Sequence, residues 1–326
     1  MSSIDVVVPC YRYGHFLREC VESVLAQKDV KVRILVIDDA SPDNTAEVAT
    51  KLTTQSSRVT FVRHATNKGH IATYNEGIDW ASADYYMILS ADDYLLPGAL
   101  RRSTELMKVH PEVGFAYGRA ITLDDRCTTF PDSVDDLNAG WQILPGLEFI
   151  KLSGVQNKVA TPTAVVRTEL QKRLGGYRPE LPHTGDLEMW LRLAAHGAVG
   201  ISDANHAVYR QHGSNMSMRY YGNNRLRDLQ QRQAALDCFL QHCSDVLPNA
   251  PQLHRRLFRL LGCEALQFAG AAFNAGELEA SEQLSDFAFS VCPKVRRSAL
   301  RIKLACKRGL GLRAWRVLRP ASRSNE

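Results

Sequence analysis

Two pairs of adjacent aspartates stand at or just after apolar runs of the sequence. Asp38–Asp39 follows Ile34–Ile37, and Asp92–Asp93 comes shortly after Tyr85–Leu89. If the runs are neighbouring strands of an α/β sheet, their carboxyl ends form its usual ligand-binding edge, where Asp38–Asp39 can accept a hydrogen bond from a base or a ribose. Adjacent carboxylates repel each other unless a cation lies nearby, and Mg²⁺ typically uses one or two carboxylates plus substrate phosphates. The second pair therefore favours a divalent cation beside a phosphate-bearing substrate. For either pair the alternative is a solvated acidic turn.

Three further polar residues lie later in the chain. Asp186 begins a pattern with apolar residues at helical spacing. An acid in that position is either a helix cap favoured by the helix dipole or a general base that deprotonates a hydroxyl. Arg210 and His212 follow the apolar Ala207–Val208. The arginine is a candidate anion contact, and the histidine is a candidate metal ligand or phosphate hydrogen-bond donor. A structural role is the alternative for the histidine.

The elements that must position these residues alternate between strand and helix patterns over the first 120 residues. Short connections in such a pattern predict an α/β fold with a mostly parallel sheet flanked by helices. Residues 122–147 are predicted to form a long loop, and the pattern from Leu226 onward is helical only. We therefore expect one α/β domain over 1–222 and a helical region over 223–326. The predicted strands of the first part are Ile4–Val8, Ile34–Ile37, Val59–Val62, Tyr85–Leu89 and Val113–Tyr117.

Composition narrows the class of protein. With 326 residues, 45% hydrophobic and 23% charged, the chain has ordinary globular composition. Its eight cysteines form no Cys-x-x-Cys pair, which favours free thiols in a reducing compartment over disulfides or zinc. No stretch reaches the roughly 18 apolar residues of a spanning helix, and no signal segment is evident at the N-terminus. These features predict a cytoplasmic protein.

The C-terminal tail is strongly basic. Between Lys294 and Arg323 there are eleven Lys or Arg residues, and the one acid of the tail is Glu326. Trp315 and several leucines lie among them. This mixture is typical of an interfacial helix attracted to anionic lipids. A helix that packs on its own domain is the alternative. Nucleic acid is not expected as a partner, because aromatic residues scarcely interleave with the charges.

Taken together, segments between Ile4 and Ser217 resemble family 2 of the inverting glycosyltransferases, which have the nucleotide-binding fold called GT-A. Any one segment is weak, but their order along the chain is specific. Two positions depart from the family pattern: Ser90 stands for the first Asp of Asp-x-Asp, and Gly185 stands for the Glu of Glu-Asp. The resembling segments are Val6–Tyr11, Val36–Thr45, Asn67–Gly69 with Asn75–Gly77, Leu89–Asp93, Gly185–Arg192 and Tyr209–His212.

The resemblance implies a role for each matching residue. Asp186 would be the catalytic base. Asp92, Asp93 and His212 would bind Mg²⁺ or Mn²⁺, with His212 closing over the diphosphate. The donor nucleotide would contact Asp92 and His212 as well, and in addition Pro9, Tyr11, Asp39, Lys68 and Arg210. Among these, Tyr11 would stack on the base, Pro9 would contact the base through its backbone, and Asp39 would hydrogen-bond it.

The resemblance also implies a reaction. A sugar would pass from a nucleoside-diphosphate sugar, by family habit a UDP-sugar, to a hydroxyl of a glycan or lipid-linked acceptor, in cell-surface polysaccharide biosynthesis at the inner face of the membrane. Two alternatives remain. A nucleotidyltransferase would want a Gly-rich phosphate loop after the first strand, and residues 9–14 are not one. A non-catalytic, nucleotide-sugar-binding relative would not need the retained aspartates.

Overall fold

The computed structural model describes residues 1–124, 140–213, 215 and 225–318, with side chains to residue 315. The chain divides into two compact units, Met1–Asn215 and Met216–Glu326. The domain boundary predicted after residue 222 lies in 216–224, outside the described residues, and stays a prediction.

The first half of the N-terminal unit is a regular α/β arrangement. Its four strands are parallel and lie in the order β3-β2-β1-β4. The apolar runs of β1, β2 and β4 are buried, as expected for parallel strands covered by helices on both faces, whereas the run of the edge strand β3 is only partly buried. The elements are β1 (Ser3–Cys10), α1 (Gly14–Leu25), β2 (Lys31–Asp38), α2 (Thr45–Gln55), β3 (Val59–Arg63), α3 (His70–Trp80) and β4 (Tyr85–Ile88).

The second half extends the same sheet with mixed strand directions. The elements are β5 (Tyr94–Leu95), α4 (Ala99–Val109), β6 (Val113–Asp124), β7 (Trp141–Leu144), α5 (Gly146–Ser153), β8 (Val165–Arg167), α6 (Thr168–Leu174), α7 (Gly185–Ala195) and β9 (Ala198–Gln211). Strand β8 lies antiparallel between β4 and β6, β9 is parallel to β6, and β5 and β7 pair antiparallel with β9. The parallel character predicted from the sequence therefore holds for the first four strands, and the sheet as a whole is mixed.

The predicted loop over 122–147 is shorter than expected at both ends. Strand β6 continues to Asp124, and β7 begins at Trp141. The pairing of these residues with β9 supplies hydrogen bonds that the polar composition did not reveal. Residues 125–139 lie outside the described part of the chain.

Backbone hydrogen bonds bring the strand ends of the first half together. The amide of Asp39 donates to the carbonyl of Cys10 at 3.0 Å, and the amide of Ala91 donates to the carbonyl of Pro9 at 3.3 Å. The segments after β1, β2 and β4 are thereby adjacent at one edge of the sheet. This is the edge at which the sequence pattern placed the binding groups.

The C-terminal unit is helical in its described part. It comprises α8 (Arg225–Cys243), α9 (Ala250–Ala275), α10 (Leu278–Val291), a 3₁₀ turn (Pro293–Arg297) and α11 (Ala299–Leu318). Helix α9 ends at Gly276, whose φ of 93° gives the left-handed cap that glycine favours. Among all described residues, no helix has the length and apolar character needed to span a bilayer.

Part of the basic tail faces the protein. The ammonium group of Lys307 is buried, 3.0 Å from Asn274 Oδ1 on α9, and lies over the Trp315 ring. The indole of Trp315 donates to the same Asn274 oxygen, and Arg308 donates to Ser281 on α10. Trp315 is thus engaged within the unit, and the membrane contact of the tail stays a prediction. Lys294, Arg296, Arg301, Lys303 and Arg313 are exposed, and residues 319–326 lie outside the described part.

Candidate active site

Asp39 is the centre of a hydrogen-bonded network at the end of β2. Its carboxylate accepts from His64 Nδ1 at 2.7 Å and from the backbone amides of Lys68 and Gly69 at 2.7 and 2.9 Å. His64 Nε2 lies 2.9 Å from Glu76 Oε2, which also binds Lys68 Nζ at 3.2 Å. Gly69 adopts a φ of 83°, which permits this tight turn. Asp39 therefore shapes the 64–69 segment beside the position predicted for the nucleotide.

The loop after β1 is fastened to the loop after β2. The amide of Arg12 donates to Ser41 Oγ at 3.0 Å, and the amide of Gly14 donates to Asp43 Oδ2 at 3.1 Å. Arg12 has a φ of 66°, so the chain turns sharply between Tyr11 and α1. The Tyr11 side chain is 39% exposed. An accessible ring on a fixed loop fits the predicted stacking surface for a base.

The two aspartates after β4 differ in their partners. Asp92 Oδ2 lies 3.2 Å from His212 Nε2, whereas Asp93 Oδ1 accepts from the backbone amide of Arg210 at 3.0 Å. Burial raises the pKa of the Asp92 carboxyl. Burial, followed by the repulsion of Asp92, raises the pKa of Asp93 as well. Arg210 lies near both carboxylates and His212 near Asp92, but burial outweighs these positive charges, so a cation beside the pair would stabilise the charged form.

Arg210 is held by contacts within the protein. Its guanidinium lies over the Phe16 and Tyr94 rings at 4.7 and 4.9 Å, donates to the Asp92 carbonyl and pairs with Glu19. This geometry shows a residue that fixes the end of β9. Its predicted contact with the nucleotide would have to be made alongside these interactions.

The His212 ring is also fixed by neighbours. It stacks on Phe16 with a centroid distance of 5.6 Å and meets the edge of Tyr13 at 5.3 Å. The structure thus brings His212 to Asp92, as the sequence predicted. Within the described residues, no three His, Cys, Asp or Glu side chains converge in a metal-binding cluster.

Asp186 is the second residue of α7 and is partly exposed. Its carboxylate accepts from Thr161 Oγ1 at 2.9 Å and from the hydroxyl of Tyr177. Burial raises its pKa, and the two hydroxyl donors and the nearby His70 and His183 oppose that rise. These side-chain contacts, made with residues distant in the sequence, give the carboxylate a defined orientation. A carboxylate that only stabilised the start of the helix would not need these hydrogen bonds.

Two tyrosines connect the candidate base to the acidic pair. The Tyr74 hydroxyl is hydrogen-bonded to Ser90. Burial, followed by the negative charges of Asp186, Asp92 and Asp93, raises the pKa of Tyr74. The rings of Tyr74 and Tyr177 meet edge to face at 5.3 Å. Tyr74 therefore links Ser90, beside the acidic pair, to Tyr177, which binds Asp186, and these residues form one candidate site.

The sequence analysis overlooked these tyrosines, Thr161 and His64. Asn75 offered the one usable signal, because it lies in a segment already noted for its motif. Its amide clamps the backbone of Tyr177, donating to the carbonyl at 2.9 Å and accepting from the amide at 2.7 Å. The 102 residues between these partners explain why no local pattern could pair them.

A family of known proteins matches the N-terminal part of the chain. Residues 5–159 match the family model described as "Glycosyl transferase family 2".

Residues 5–159, just under half of the chain, belong to glycosyl transferase family 2.

Several curated proteins are similar to this family 2 chain over part of their length. An uncharacterised Mycobacterium tuberculosis protein is 30% identical over 206 residues, which are 60% of the chain and 63% of that protein. The glycosyltransferase GlyG of Streptococcus pneumoniae is 42% identical over 91 residues, 28% of the chain and 30% of GlyG. A poly-beta-1,6-N-acetyl-D-glucosamine synthase of Staphylococcus aureus is 33% identical over 118 residues, 36% of the chain and 28% of the synthase. The chain thus spans less than two thirds of each of these relatives.

Solved structures confirm the GT-A fold expected for family 2. S. aureus TarS 1–349 in complex with UDP-GlcNAc superposes with a TM-score of 0.63 and 14% identity, over 96% of the chain and 89% of TarS 1–349. The mannosyltransferase PcManGT of Pyrobaculum calidifontis, in complex with GDP-Man and Mn²⁺, gives a TM-score of 0.53 and 16% identity, over 96% and 86%.

Both departures from the family 2 pattern face the tyrosine pair. Ser90 is the partner of the Tyr74 hydroxyl. A Cβ at Gly185 would lie 3.2 Å from Cδ1 of Tyr177, so a side chain at this position would need the ring to move by a few tenths of an ångström. Tyr74 and Tyr177 therefore lie next to the two positions, Ser90 and Gly185, at which the family pattern has carboxylates.

Proposed function

We propose that the chain transfers a sugar from a nucleoside-diphosphate sugar, by family habit a UDP-sugar, to a hydroxyl of a glycan or lipid-linked acceptor with inversion at the anomeric carbon. The observation that carries the proposal is a chain of contacts between the candidate base and the acidic pair. Asp186 accepts from Tyr177, whose ring contacts Tyr74, and the Tyr74 hydroxyl binds Ser90, two residues before Asp92. Asp186 accepts a proton and the acidic pair lies where a diphosphate would leave. The matches to named glycosyltransferases support the reaction class, and the synthase match supports a role in polysaccharide biosynthesis.

Asp186 is suited to be the general base. A general base works best when its pKa approaches the operating pH, and burial raises this one from its ordinary value. Thr161 and Tyr177 hold the carboxylate in one orientation. In the proposed single displacement, the oxygen of the acceptor hydroxyl attacks the anomeric carbon while Asp186 takes the proton of that hydroxyl. The bond to the diphosphate breaks on the opposite side.

The residues at the end of β4 fit a divalent cation. Asp92 and His212 face each other, and burial raises the pKa values of Asp92 and Asp93 despite the nearby positive charges. Asp92 and His212 would hold Mg²⁺ or Mn²⁺ with Asp93 beside them, and phosphate oxygens would supply further ligands. When bound, the cation would offset the negative charge that develops on the leaving diphosphate. A mannosyltransferase of similar fold was solved with Mn²⁺ and GDP-Man.

Tyr11, Pro9, Asp39 and Lys68 are the proposed surroundings of the nucleotide. The exposed ring of Tyr11 would stack on the base, while the Pro9 backbone and Asp39 would bind its polar edge. Lys68 Nζ pairs with Glu76 and is half exposed, so it can turn toward a phosphate.

A panel of nucleotide sugars tests the proposal. We expect metal-dependent release of free nucleotide from at least one UDP-sugar, and no release in EDTA. Asp93→Ala should abolish the metal-dependent turnover. Asp93→Asn is the sharper variant, because an amide oxygen can still accept from the Arg210 backbone amide while the negative charge is gone. Full turnover of both variants, or of the wild type in EDTA, would contradict the metal role.

We also propose that the exposed basic residues of the tail contact an anionic membrane surface, at its inner face if the protein is cytoplasmic. Lys294, Arg296, Arg301, Lys303 and Arg313 support this, since each basic residue near such a surface contributes about 1 kcal/mol. Lipid-linked acceptors would then lie close to the enzyme.

A further inference from the structure

A cleft of about 720 Å³ lies beside β6 and β9, away from the proposed nucleotide contacts. An irregularity in the strand pairing lies at the cleft. Tyr117 pairs with Ile201, but Arg119 pairs with Asn205, so β9 carries extra residues that have no partner on β6. Such bulges re-aim side chains and are common next to active sites. The side chains used below are Trp141, Arg119, Lys158, Asp203 and Gln142, which line the cleft together with Ala160.

The wall of the cleft leads to the candidate base. Ala160 lines the cleft, and the next residue, Thr161, donates its hydroxyl to Asp186. Thr163 in the same turn binds the backbone of Gly118 through its hydroxyl, at 3.0 Å to the carbonyl. A Cβ at Gly118 would lie 2.6 Å from His206 Cγ, so this close approach of β6 and β9 requires glycine. The cleft and the base are therefore built on one fixed segment.

The chemistry of the lining indicates what it would hold. Trp141 provides an aromatic wall, and Gln142 and Asp203 provide exposed polar groups, a combination typical of sites for polar ligands with an apolar face. Arg119 is exposed and makes no ion pair with any described residue, and Lys158 donates to the neutral amide of Gln156. Among the lining residues that the structure describes, there are thus two cations, Arg119 and Lys158, and one carboxylate, Asp203. Burial lowers the pKa of the neighbouring His206 to about 3, so this residue adds no charge at neutral pH.

We propose that this cleft, the bulge cleft, is the acceptor site and that it selects a saccharide carrying an anionic group. The proposal rests on the proposed function, since it supplies the hydroxyl that Asp186 deprotonates. The sugar ring packs against Trp141, its hydroxyls bind Asp203 and Gln142, and the anionic group binds Arg119 and Lys158.

Binding of simple probes tests the bulge cleft. The chain is titrated in the presence of UDP, which occupies the nucleotide site, with glucose 1-phosphate, glucose or inorganic phosphate while tryptophan fluorescence is followed. Glucose 1-phosphate should bind at least tenfold more tightly than either other probe. Arg119→Ala should weaken its binding by about tenfold or more, the usual effect of losing a charged hydrogen bond. Trp141→Phe should remove the fluorescence change.

A matched control is Arg173→Ala, which removes an exposed arginine outside the cleft and should change nothing. Equal binding of phosphate and glucose 1-phosphate would overturn the saccharide site, and an unaffected Arg119→Ala variant would overturn the role of the cations. Release of UDP from UDP-GlcNAc without acceptor is measured in parallel. If the wild type shows neither this release nor release from other nucleotide sugars, the proposed function fails, whereas the titration alone decides the cleft.

Discussion

At the scale of single residues, the chemistry depends on how Asp186 is held. Thr161 and Tyr177 come from different segments, and each donates a hydroxyl to the carboxylate. Desolvation raises the pKa of Asp186, while these donors stabilise its charged form. The balance leaves a base that is stronger than an exposed aspartate and is still oriented.

Asp186→Asn tests the base directly. The amide keeps the shape of the side chain but cannot take a proton, so transfer should fall by roughly 10²–10⁴-fold. Donor affinity, measured by calorimetry with the nucleotide, should stay near that of the wild type. Asp79→Asn, a change at an exposed aspartate of α3, is the control. Lost donor affinity with little change in turnover would assign Asp186 to binding instead.

Tyr177→Phe should move the pH profile of the reaction. Removing this donor leaves the charged carboxylate less stabilised, so the pKa of Asp186 rises further above its ordinary value. The base must be ionised to act, and the acid limb of turnover should therefore move to higher pH. The loss of rate should be largest at low pH and should shrink as pH increases. Tyr85→Phe is the control, because Tyr85 is a buried tyrosine whose hydroxyl binds Arg167. It should leave the acid limb of the pH profile in place. An equal shift in both variants would refute the role of the Tyr177 hydroxyl in setting the pKa of Asp186.

At the scale of elements, α7 both carries the base and fixes the loop that supports it. Arg192 and Glu188 form a fully buried ion pair on this helix, with Nε to Oε1 at 2.9 Å. The same guanidinium donates to three carbonyls of residues 174–176, immediately before Tyr177. Helix α3 holds the other side through Asn75, and a Cβ at Gly176 would lie 2.2 Å from its Oδ1. Helices α7 and α3 thus both fix the position of Tyr177.

Arg192→Met should destabilise the N-terminal unit strongly. It leaves the Glu188 carboxylate buried without its partner, at a cost of about 3–5 kcal/mol. The double variant Glu188→Leu with Arg192→Met removes both charges and should recover much of the free energy of unfolding, although the 174–176 carbonyls lose their donor. Urea unfolding of the full chain measures both effects. A single variant as stable as the wild type would show that the pair is not required.

At the scale of the whole molecule, charge is unevenly divided along the chain. Basic residues concentrate near the C-terminus, where α11 turns some inward and leaves others exposed. Lys307 and Trp315 share the Asn274 oxygen of α9, so they contribute to packing. Arg301, Lys303 and Arg313 are exposed and can contribute to association.

Two variants separate these roles. Replacing Arg301, Lys303 and Arg313 by Gln should weaken binding to anionic vesicles roughly 100-fold, because each charge contributes about 1 kcal/mol, and should leave the Tm unchanged. Trp315→Phe removes the bond to Asn274 and should lower the Tm without changing vesicle binding. Co-sedimentation at low and high salt provides the measurement, since salt screens exposed charges. If the wild type ignores the vesicles at low salt, the tail is structural only.

The sequence by itself determined the first four strands and the two aspartate pairs, which lie at the end of β2 and shortly after β4. Continuous apolar runs specify buried parallel strands, and polar residues that follow must lie at the sheet edge. It also indicated Asp186 and His212 through the resemblance, although their roles remain predictions. These features are local, because each depends on residues within one or two elements.

Only the tertiary structure decided what surrounds those residues. Tyr177 reaches Asn75 across 102 positions, and Arg210 reaches Asp93 across 117. The bulge in β9 beside the cleft and the inward orientation of Lys307 also depend on contacts between segments that are distant in the sequence. Hydropathy patterns report which face of an element is buried, but they do not report which distant segment covers it. The orientation of the base and the shape of the cleft were therefore visible only once the chain was folded.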